Sequence, residues 1–253
     1  MIITLLGTGT SHGVPVLGCD CATCRSQDPR DRRTRSSVYL ESDQTCILID
    51  TATELRIQAL RHQIPRVDAV LLTHHHADHV CGFDDLRRFN ELQGTEIPVY
   101  GNAAALQGIR AMFPYIFDDQ AQLGGGKPRV RLLQATRPFT AGKLRVIPIP
   151  VWHGRIPVLG FRIADFAYVT DCSAIPSAGM AQLTGLKLLV LGVLRFRPHP
   201  THLNLEDALR LVDVLKPRRC LLTHICHDFK HDLVTRILPA GIELGYDGQR
   251  IEL

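Results

Sequence analysis

Short apolar blocks recur along this chain, separated by glycine, proline, asparagine and aspartate, and most of them read as strands buried on both faces. The first runs from Ile2 to Leu6. Others lie at Ser37–Glu41, Thr45–Asp50, Ala69–Thr73, Ile97–Tyr100, Leu144–Ile149, Phe161–Ala164, Ala167–Thr170, Leu188–Gly192 and Arg219–Thr223, and a hairpin is expected from Ile242–Gly245 and Gln249–Glu252. Apolar positions three and four apart predict helices at Thr53–His62, Gly82–Gln93, Ala103–Met112, Ser177–Leu183, Leu205–Leu215 and Asp232–Leu238. Asn204 is placed to cap the helix from Leu205, with Asp207 three residues on. Many strands with scattered helices predict a layered α/β fold. One echo divides the chain: Ala69 to His74 and Arg219 to His224 both end in Leu-Leu-Thr-His. A duplicated half-domain is the expected cause.

Composition narrows the class. The 253 residues, 45% hydrophobic and 21% charged, fit one globular domain over 1–253 with a full core. No composition shift marks a linker, although Gly124-Gly125-Gly126-Lys127-Pro128 is a loop. A net charge of +4 is too small to single out nucleic acid and suits a small anionic substrate. The opening residues lack a basic leader, and the longest strongly apolar stretch, Leu186 to Leu194, is far below membrane-spanning length. A cytoplasmic protein without membrane contact is expected. Oligomeric state is not written in the pattern, and a homodimer stays open.

Cysteine placement is more telling. Cys19, Cys21 and Cys24 crowd into six residues of a polar segment, 18–35, that turns strongly basic toward its end. In a reducing compartment such crowding reads as a metal knuckle rather than as disulfides. Cys46, Cys81, Cys172 and Cys220 lie in or beside apolar segments and are expected to be packed thiols. After the first strand, Gly7-Thr8-Gly9-Thr10-Ser11-His12-Gly13 has the look of a phosphate cradle but lacks the lysine and spacing of a P-loop.

The densest chemistry is His74-His75-His76-Ala77-Asp78-His79, placed where a buried strand ends. In an extended segment His74 and His76 share a face and His75 takes the other. A turn after Ala77 would aim Asp78 and His79 at a second point nearby. Imidazole and carboxylate suit borderline divalent ions such as Zn, Mn or Fe. A dinuclear centre needs about three protein ligands per ion and a bridging carboxylate. The remaining candidates also stand at strand ends: His153, Asp171 and His224. We pair His74, His76 and His153 on one ion, Asp78, His79 and His224 on the other, with Asp171 between them.

With these residues the chain resembles the metallo-β-lactamase superfamily, whose signature is H-x-H-x-D-H followed by a distant His, Asp and His. The resemblance spans nearly the whole length and implies an αββα sandwich of two similar halves. The knuckle sharpens it. Tetrahedral zinc takes a fourth ligand beside Cys19, Cys21 and Cys24, and Cys226 and His227 are both placed to supply one. This arrangement is similar to the phosphoribosyl cyclic phosphate phosphodiesterase family of the carbon–phosphorus lyase pathway. That resemblance implies a structural zinc on Cys19, Cys21, Cys24 and His227, pinning the insertion against the active-site loop. It also implies that His202 meets the substrate phosphate and assists the leaving oxygen.

The expected activity is hydrolysis of a small cyclic phosphodiester on a sugar, with two divalent ions, Mn or Zn, at the active site. Asp171 and Asp78 would position the metals, His202 would act on the leaving group, and Arg195 or Arg197 would orient the anion. His199 is ambiguous, and His12, His62 and His231 are expected to be structural or exposed. Three alternatives stand beside this one: a tRNA 3′-processing endonuclease, a carboxyl-ester, lactone or thioester hydrolase, and a non-catalytic cofactor-pathway carrier. The nuclease would need a longer basic arm than 124–131 offers, and the carrier would be expected to lack some of the seven ligands.

Overall fold

A computed structural model describes residues 1–118 and 126–253. Gly124 and Gly125 of the expected glycine loop lie outside the described residues. In chain order the elements are β1 (Ile2–Gly7), β2 (Ser37–Ser42), β3 (Thr45–Ile49), α1 (Leu55–Arg61), β4 (Ala69–Leu71), α2 (Ala77–Val80), α3 (Leu86–Gln93), β5 (Ile97–Gly101), α4 (Ala103–Met112), α5 (Pro114–Phe117) and β6 (Val130–Gln134). Then follow β7 (Phe139–Ala141), β8 (Leu144–His153), β9 (Ile156–Ile163), β10 (Phe166–Val169), α6 (Ser177–Gln182), β11 (Leu188–Gly192), α7 (Leu205–Leu215), β12 (Arg219–Thr223), α8 (His231–Thr235), β13 (Ile242–Leu244) and β14 (Arg250–Glu252).

The strands form two seven-stranded sheets, ordered β14-β1-β2-β3-β4-β5-β6 and β13-β12-β11-β10-β9-β8-β7. Alternation along each strand decides the layers. Ala69 and Leu71 of β4 pack inward with Phe161, Tyr168 and Val190 of the other sheet. Val70 and Leu72 point outward and are covered by Leu55, Phe83, Leu86, Phe89 and Ile109. On the far sheet Leu189, Leu191, Cys220 and Leu222 are covered by Leu205, Ala208, Val212 and Leu215 of α7. Strands covered on both faces explain the continuous apolar runs. The result is the expected αββα sandwich.

The halves are alike in a way the ladder makes visible. Reading inward from β14, three antiparallel pairings are followed by three parallel ones, β3-β4, β4-β5 and β5-β6. From β7 the sequence of pairings is the same, ending in parallel β10-β11, β11-β12 and β12-β13. The Leu-Leu-Thr-His echo does not join equivalent strands, because β4 is fifth in its sheet and β12 sixth. The equivalent pair is β3 and β10, each followed closely by an aspartate, Asp50 and Asp171.

Three expectations need correction. The C-terminal hairpin does not form: β13 pairs in parallel with β12, whereas β14 pairs antiparallel with β1 in the other sheet. The chain crosses between sheets there because Asp247 is drawn to Thr8 and Thr34, accepting from the backbone N–H and hydroxyl of each. The helix expected from Gly82 breaks into a 3-10 turn, Phe83–Asp85, before α3. Cys81 is exposed rather than packed, while Cys46, Cys172 and Cys220 are buried. Strands β6 and β7 gave no usable sequence signal, and β9 starts well before Phe161. Asn204 caps α7 as expected, its Oδ1 accepting from Asp207 N at 2.8 Å.

Candidate metal centre

The parallel strands of both sheets end at one edge of the sandwich, and the acid and imidazole groups stand just past those ends. His74 follows β4, Asp171 follows β10, His224 follows β12, and His153 closes β8. Asp171 and His224 adopt φ of 49° and 58°, and Asp50 after β3 adopts 61°. A left-handed conformation costs a non-glycine residue on the order of 1 kcal/mol or more. Here it turns each side chain back toward the sheet edge. The single turn α2 places Asp78 and His79 beside the residues of the extended His74–His76 segment, with His79 N donating to His76 O at 2.9 Å.

The seven expected ligands come together in two groups. His74, His76, His153 and Asp171 offer ligand atoms within 4.8 Å of one another, as do Asp78, His79 and His224. Asp171 joins the groups: its Oδ2 lies 3.7 Å from His74 Nε2, and its Oδ1 lies 3.3 Å from His79 Nε2 and 3.2 Å from His224 Nε2. Asp78 Oδ2 is 3.3 Å from His79 Nε2 and 3.5 Å from His224 Nε2. His75 belongs to neither group and packs on Gly108 of α4.

These groups fit divalent ions. His74 Nε2, His79 Nε2 and His224 Nε2 are buried without a hydrogen-bond partner, a costly state for polar nitrogen unless an ion occupies the lone pair. Donors held at about 2.1 Å by one ion lie roughly 3.0–3.4 Å apart in octahedral or tetrahedral arrangement, close to the spacing seen. The hydrogen bonds on the opposite nitrogens set the tautomers. His79 Nδ1 donates to Asp50 Oδ2 at 2.7 Å, and His153 Nδ1 donates to Thr201 O at 2.9 Å. The Thr73 hydroxyl donates to Asp50 Oδ2 at 2.8 Å, so it accepts from His74 Nδ1 at 3.0 Å. Each Nε2 is thereby left as a bare lone pair. Asp50 was not singled out from the sequence. Its signal was an aspartate closing a buried strand, the same cue that marked Asp171.

Charge follows this geometry. Burial alone would raise the Asp171 carboxyl, yet His224 and His79 hold it well below the usual carboxylate range. His74 is pushed well down, by burial first and then by His79. Asp78 is likewise held low by its histidine neighbours against the effect of burial, so the two carboxylates at the centre favour a cation.

The structure brings the four knuckle residues together. Cys19 Sγ, Cys21 Sγ and Cys24 Sγ lie 3.2, 3.6 and 3.6 Å from His227 Nδ1. Sulfur at about 2.3 Å and nitrogen at about 2.05 Å from a tetrahedral zinc stand roughly 3.6 Å apart. The backbone N–H of Cys24 points at Cys21 Sγ and lowers that thiol to about 7. Cys226 is not in the group, and its sulfur accepts from Asp228 N instead.

His202 sits over the centre, its ring 4.6 Å from that of His153 and 5.1 Å from that of His224, and burial lowers it to about 3. Arg195 and Arg197 line the adjoining cavity. Arg195 gives Nε and Nη2 to the carbonyls of Arg197 and Pro198, bracing its own loop. The glycine loop is not a phosphate cradle. Its N–H groups at Thr8, Gly9, Thr10 and Gly13 donate to Asp247, Thr34, Ile225 and Thr10. Gly7 is required by close approach, since a Cβ there would stand 1.9 Å from Arg35 O. His12 is exposed, His62 is half-buried, and His231 is buried away from the metals.

Comparison with known proteins agrees with this geometry. A family model described as the beta-lactamase superfamily domain matches residues 45–225. A crystal structure of a diphosphatase from the PhnP family superposes with a TM-score of 0.92 and 40% identity, over 99% of this chain and 96% of that one. The chain belongs to the PhnP family of the beta-lactamase superfamily. An octanoyltransferase of Porphyromonas gingivalis is 38% identical over 247 residues, which are 96% of this chain and 50% of that protein. The chain spans about half the length of the curated relatives it matches. Zinc-bound PqqB from Methylobacterium extorquens shares the fold over the full length of both chains, with a TM-score of 0.80 at 18% identity. Membership in the PhnP family makes this a domain of the metal-dependent hydrolase type. The family fold implies divalent ions such as zinc, and the histidine–aspartate groups fit them. No helix among the described residues is long and apolar enough to cross a membrane.

Proposed function

We propose that the protein is a metal-dependent hydrolase of small phosphate esters, acting on a phosphodiester such as a cyclic phosphate on a sugar. The observation that carries this reading is the convergence of His74, His76, Asp78, His79, His153, Asp171 and His224 under a half-buried His202. Two ions, Mn or Zn, would be held by His74, His76 and His153 and by Asp78, His79 and His224, with Asp171 shared. When bound, such ions supply a hydroxide at neutral pH and neutralise the phosphate oxygens. Cys19, Cys21, Cys24 and His227 would hold a third, structural zinc.

The chain's own residues do the rest. Asp171 and Asp78 fix the spacing of the two groups. Asp50, through His79 and Thr73, keeps two imidazoles turned lone pair inward. His202 would donate an N–H to the phosphate or, as general acid, to the departing oxygen. Arg197, exposed at the rim, attracts the anion. The free thiols of all eight cysteines suit a cytoplasmic setting.

A second reading, hydrolysis of a disubstituted diphosphate, is favoured by the 40% identity to a PhnP-family diphosphatase. Leaving-group chemistry separates the two. An alkoxide needs a proton donor, whereas a phosphate leaves readily without one. His202→Ala, assayed on Mn-loaded protein, is expected to lower turnover of an alkyl cyclic phosphate by about 100-fold or more and that of ADP-ribose much less. Absence of metal-dependent turnover of any phosphodiester or diphosphate would sink the proposal.

A further inference from the structure

On the outer face of the first sheet, a cavity of about 230 Å³ lies under the C-terminal end of α1. Its floor follows from strand register. Thr4 of β1 stands opposite Tyr39 of β2 on one side and Arg250 of β14 on the other, and directly opposite residues share a face. Glu41 lies two residues beyond Tyr39 on β2 and points the same way. It pairs with Cys46 near the start of β3, whereas the metal groups gather where β3 and β4 end. The cavity is therefore at the opposite end of the sandwich from the metals. Its roof is His62, the C-terminal cap of α1, with Ile64 and Pro65 after it.

The polar groups of this cavity are unspent. Among the described residues neither Glu41 nor Arg250 makes a hydrogen bond or an ion pair. Register explains why they do not pair with each other. Two strand spacings of about 4.8 Å and two residues of about 3.4 Å separate them, so their Cα atoms stand roughly 12 Å apart. The two side chains face each other with room for a small molecule between them, and the Thr4 hydroxyl lies on the line that joins them. Tyr39 offers only its ring, because its hydroxyl donates to Arg66 O at 2.8 Å.

His62 supplies a further group. A Cβ on Gly248 would stand 2.9 Å from His62 Cε1, so the ring packs on that glycine, whose φ of 88° suits glycine alone. Nε2 is buried there without a partner, which leaves Nδ1 as the nitrogen open to the cavity. Burial, and then the Arg61 charge, lower the His62 pKa, so the ring is neutral and can accept a hydrogen bond.

We propose that this cavity binds a free α-amino acid with a small aliphatic side chain. Its carboxylate would lie on Arg250 and the Thr4 hydroxyl, its ammonium on Glu41 and His62, and its side chain against Ile64 and Pro65. A ligand with a single charge leaves one of the two facing groups unmatched, whereas a zwitterion makes charge-assisted hydrogen bonds at both ends. The volume is below the roughly 300 Å³ at which sites for drug-sized ligands begin, which suits a molecule smaller than a nucleotide. Nothing in this assignment depends on the metal centre or on its substrate.

Calorimetric titration of the metal-loaded protein tests it with three probes of similar shape: L-valine, isovalerate, which lacks the ammonium, and isobutylamine, which lacks the carboxylate. L-valine is expected to bind saturably with a Kd of about 1 mM or tighter, and each of the other two at least about tenfold more weakly. Glu41→Gln and Arg250→Gln should each weaken L-valine binding by about tenfold or more and leave phosphate-ester turnover unchanged, since neither residue touches the metal groups. Glu41 is partly exposed and Arg250 exposed, so both variants are expected to fold, and circular dichroism serves as the check. Absence of saturable L-valine binding overturns the proposal. Equal binding of either truncated probe also overturns it, as does an affinity left untouched in either variant, which would place the valine elsewhere on the protein.

Discussion

Asp50 Oδ2 accepts a hydrogen bond from His79 Nδ1 at 2.7 Å, and the same oxygen takes the hydroxyl proton of Thr73, which in turn receives His74 Nδ1. One buried carboxylate therefore sets the tautomer of an imidazole in each of the two ligand groups. Asp50→Ala is expected to lower metal affinity at the active site by about 10–100-fold and to leave the knuckle ion in place. Chelator competition followed by metal analysis reads both. Retention of the active-site ions at wild-type affinity would show that the tautomers are set elsewhere.

The knuckle gives a paired prediction from adjacent residues. His227 Nδ1 stands within 3.6 Å of all three sulfurs, whereas Cys226 Sγ only receives a backbone N–H. His227→Ala is expected to remove about one ion per chain, in line with a closed four-ligand site, and to lower the melting temperature. Cys226→Ala should retain the full metal content. Metal analysis of the two purified variants decides, and loss of an ion from Cys226→Ala alone would reverse the assignment.

Much of this site was legible because its signals are local. His74 to His79 declares itself by spacing within six residues, and Cys19 to Cys24 does the same. His153, Asp171 and His224 could be found because strands that end at an active edge are apolar and end abruptly. Asp50 obeys the same rule but escaped, since a carboxylate that touches imidazole rather than metal has no motif of its own. The C-terminal crossing escaped for a different reason. Two short strands five residues apart read as a hairpin by default, and only the pull of Asp247 on Thr8 and Thr34 sends them to different sheets. The half-to-half echo was seen in Leu-Leu-Thr-His, where strand composition alone produces it. The true correspondence lies in the ladder, which sequence does not display.

Thr201 joins two histidines through its backbone. Its carbonyl accepts from His153 Nδ1, and its N–H donates to His199 Nδ1. Gly154 lies against it: φ there is 62°, and a Cβ would stand 2.8 Å from Thr201 Cγ2. Gly154→Ala therefore adds left-handed strain of about 1 kcal/mol and pushes the Thr201 loop away from His153. The expected outcome is a fall of roughly tenfold in turnover with a small loss of stability, since misplacing a ligand or a phosphate contact is costly to rate. Kinetics and thermal melting on the same preparation separate the two effects. A variant that melts earlier but turns over normally would mean that the loop moves without disturbing His153.

Far from the metals, His231 predicts an acid-sensitive step in stability. It is buried, its Nδ1 faces Arg33 Nη2 at 3.2 Å, and its backbone N–H is held by Asp31 Oδ1 at 2.8 Å. Burial, and then the Arg33 charge, lower its pKa to about 4, and Arg30 adds to this while Asp28 and Asp31 oppose it. An unfolded histidine titrates near 6.5. Between those values the unfolded chain binds a proton that the folded chain refuses. Stability contributed at neutral pH is therefore lost as pH falls from about 6.5 toward 4, by at most about 1.4 kcal/mol per pH unit, and the loss levels off below. His231→Gln keeps an acceptor for Arg33 and removes the titration. Urea unfolding at several pH values between 7.5 and 4.5 should show the wild type losing stability faster than the variant. The metal-linked contributions cancel in the difference. Parallel curves would mean that His231 does not carry the step.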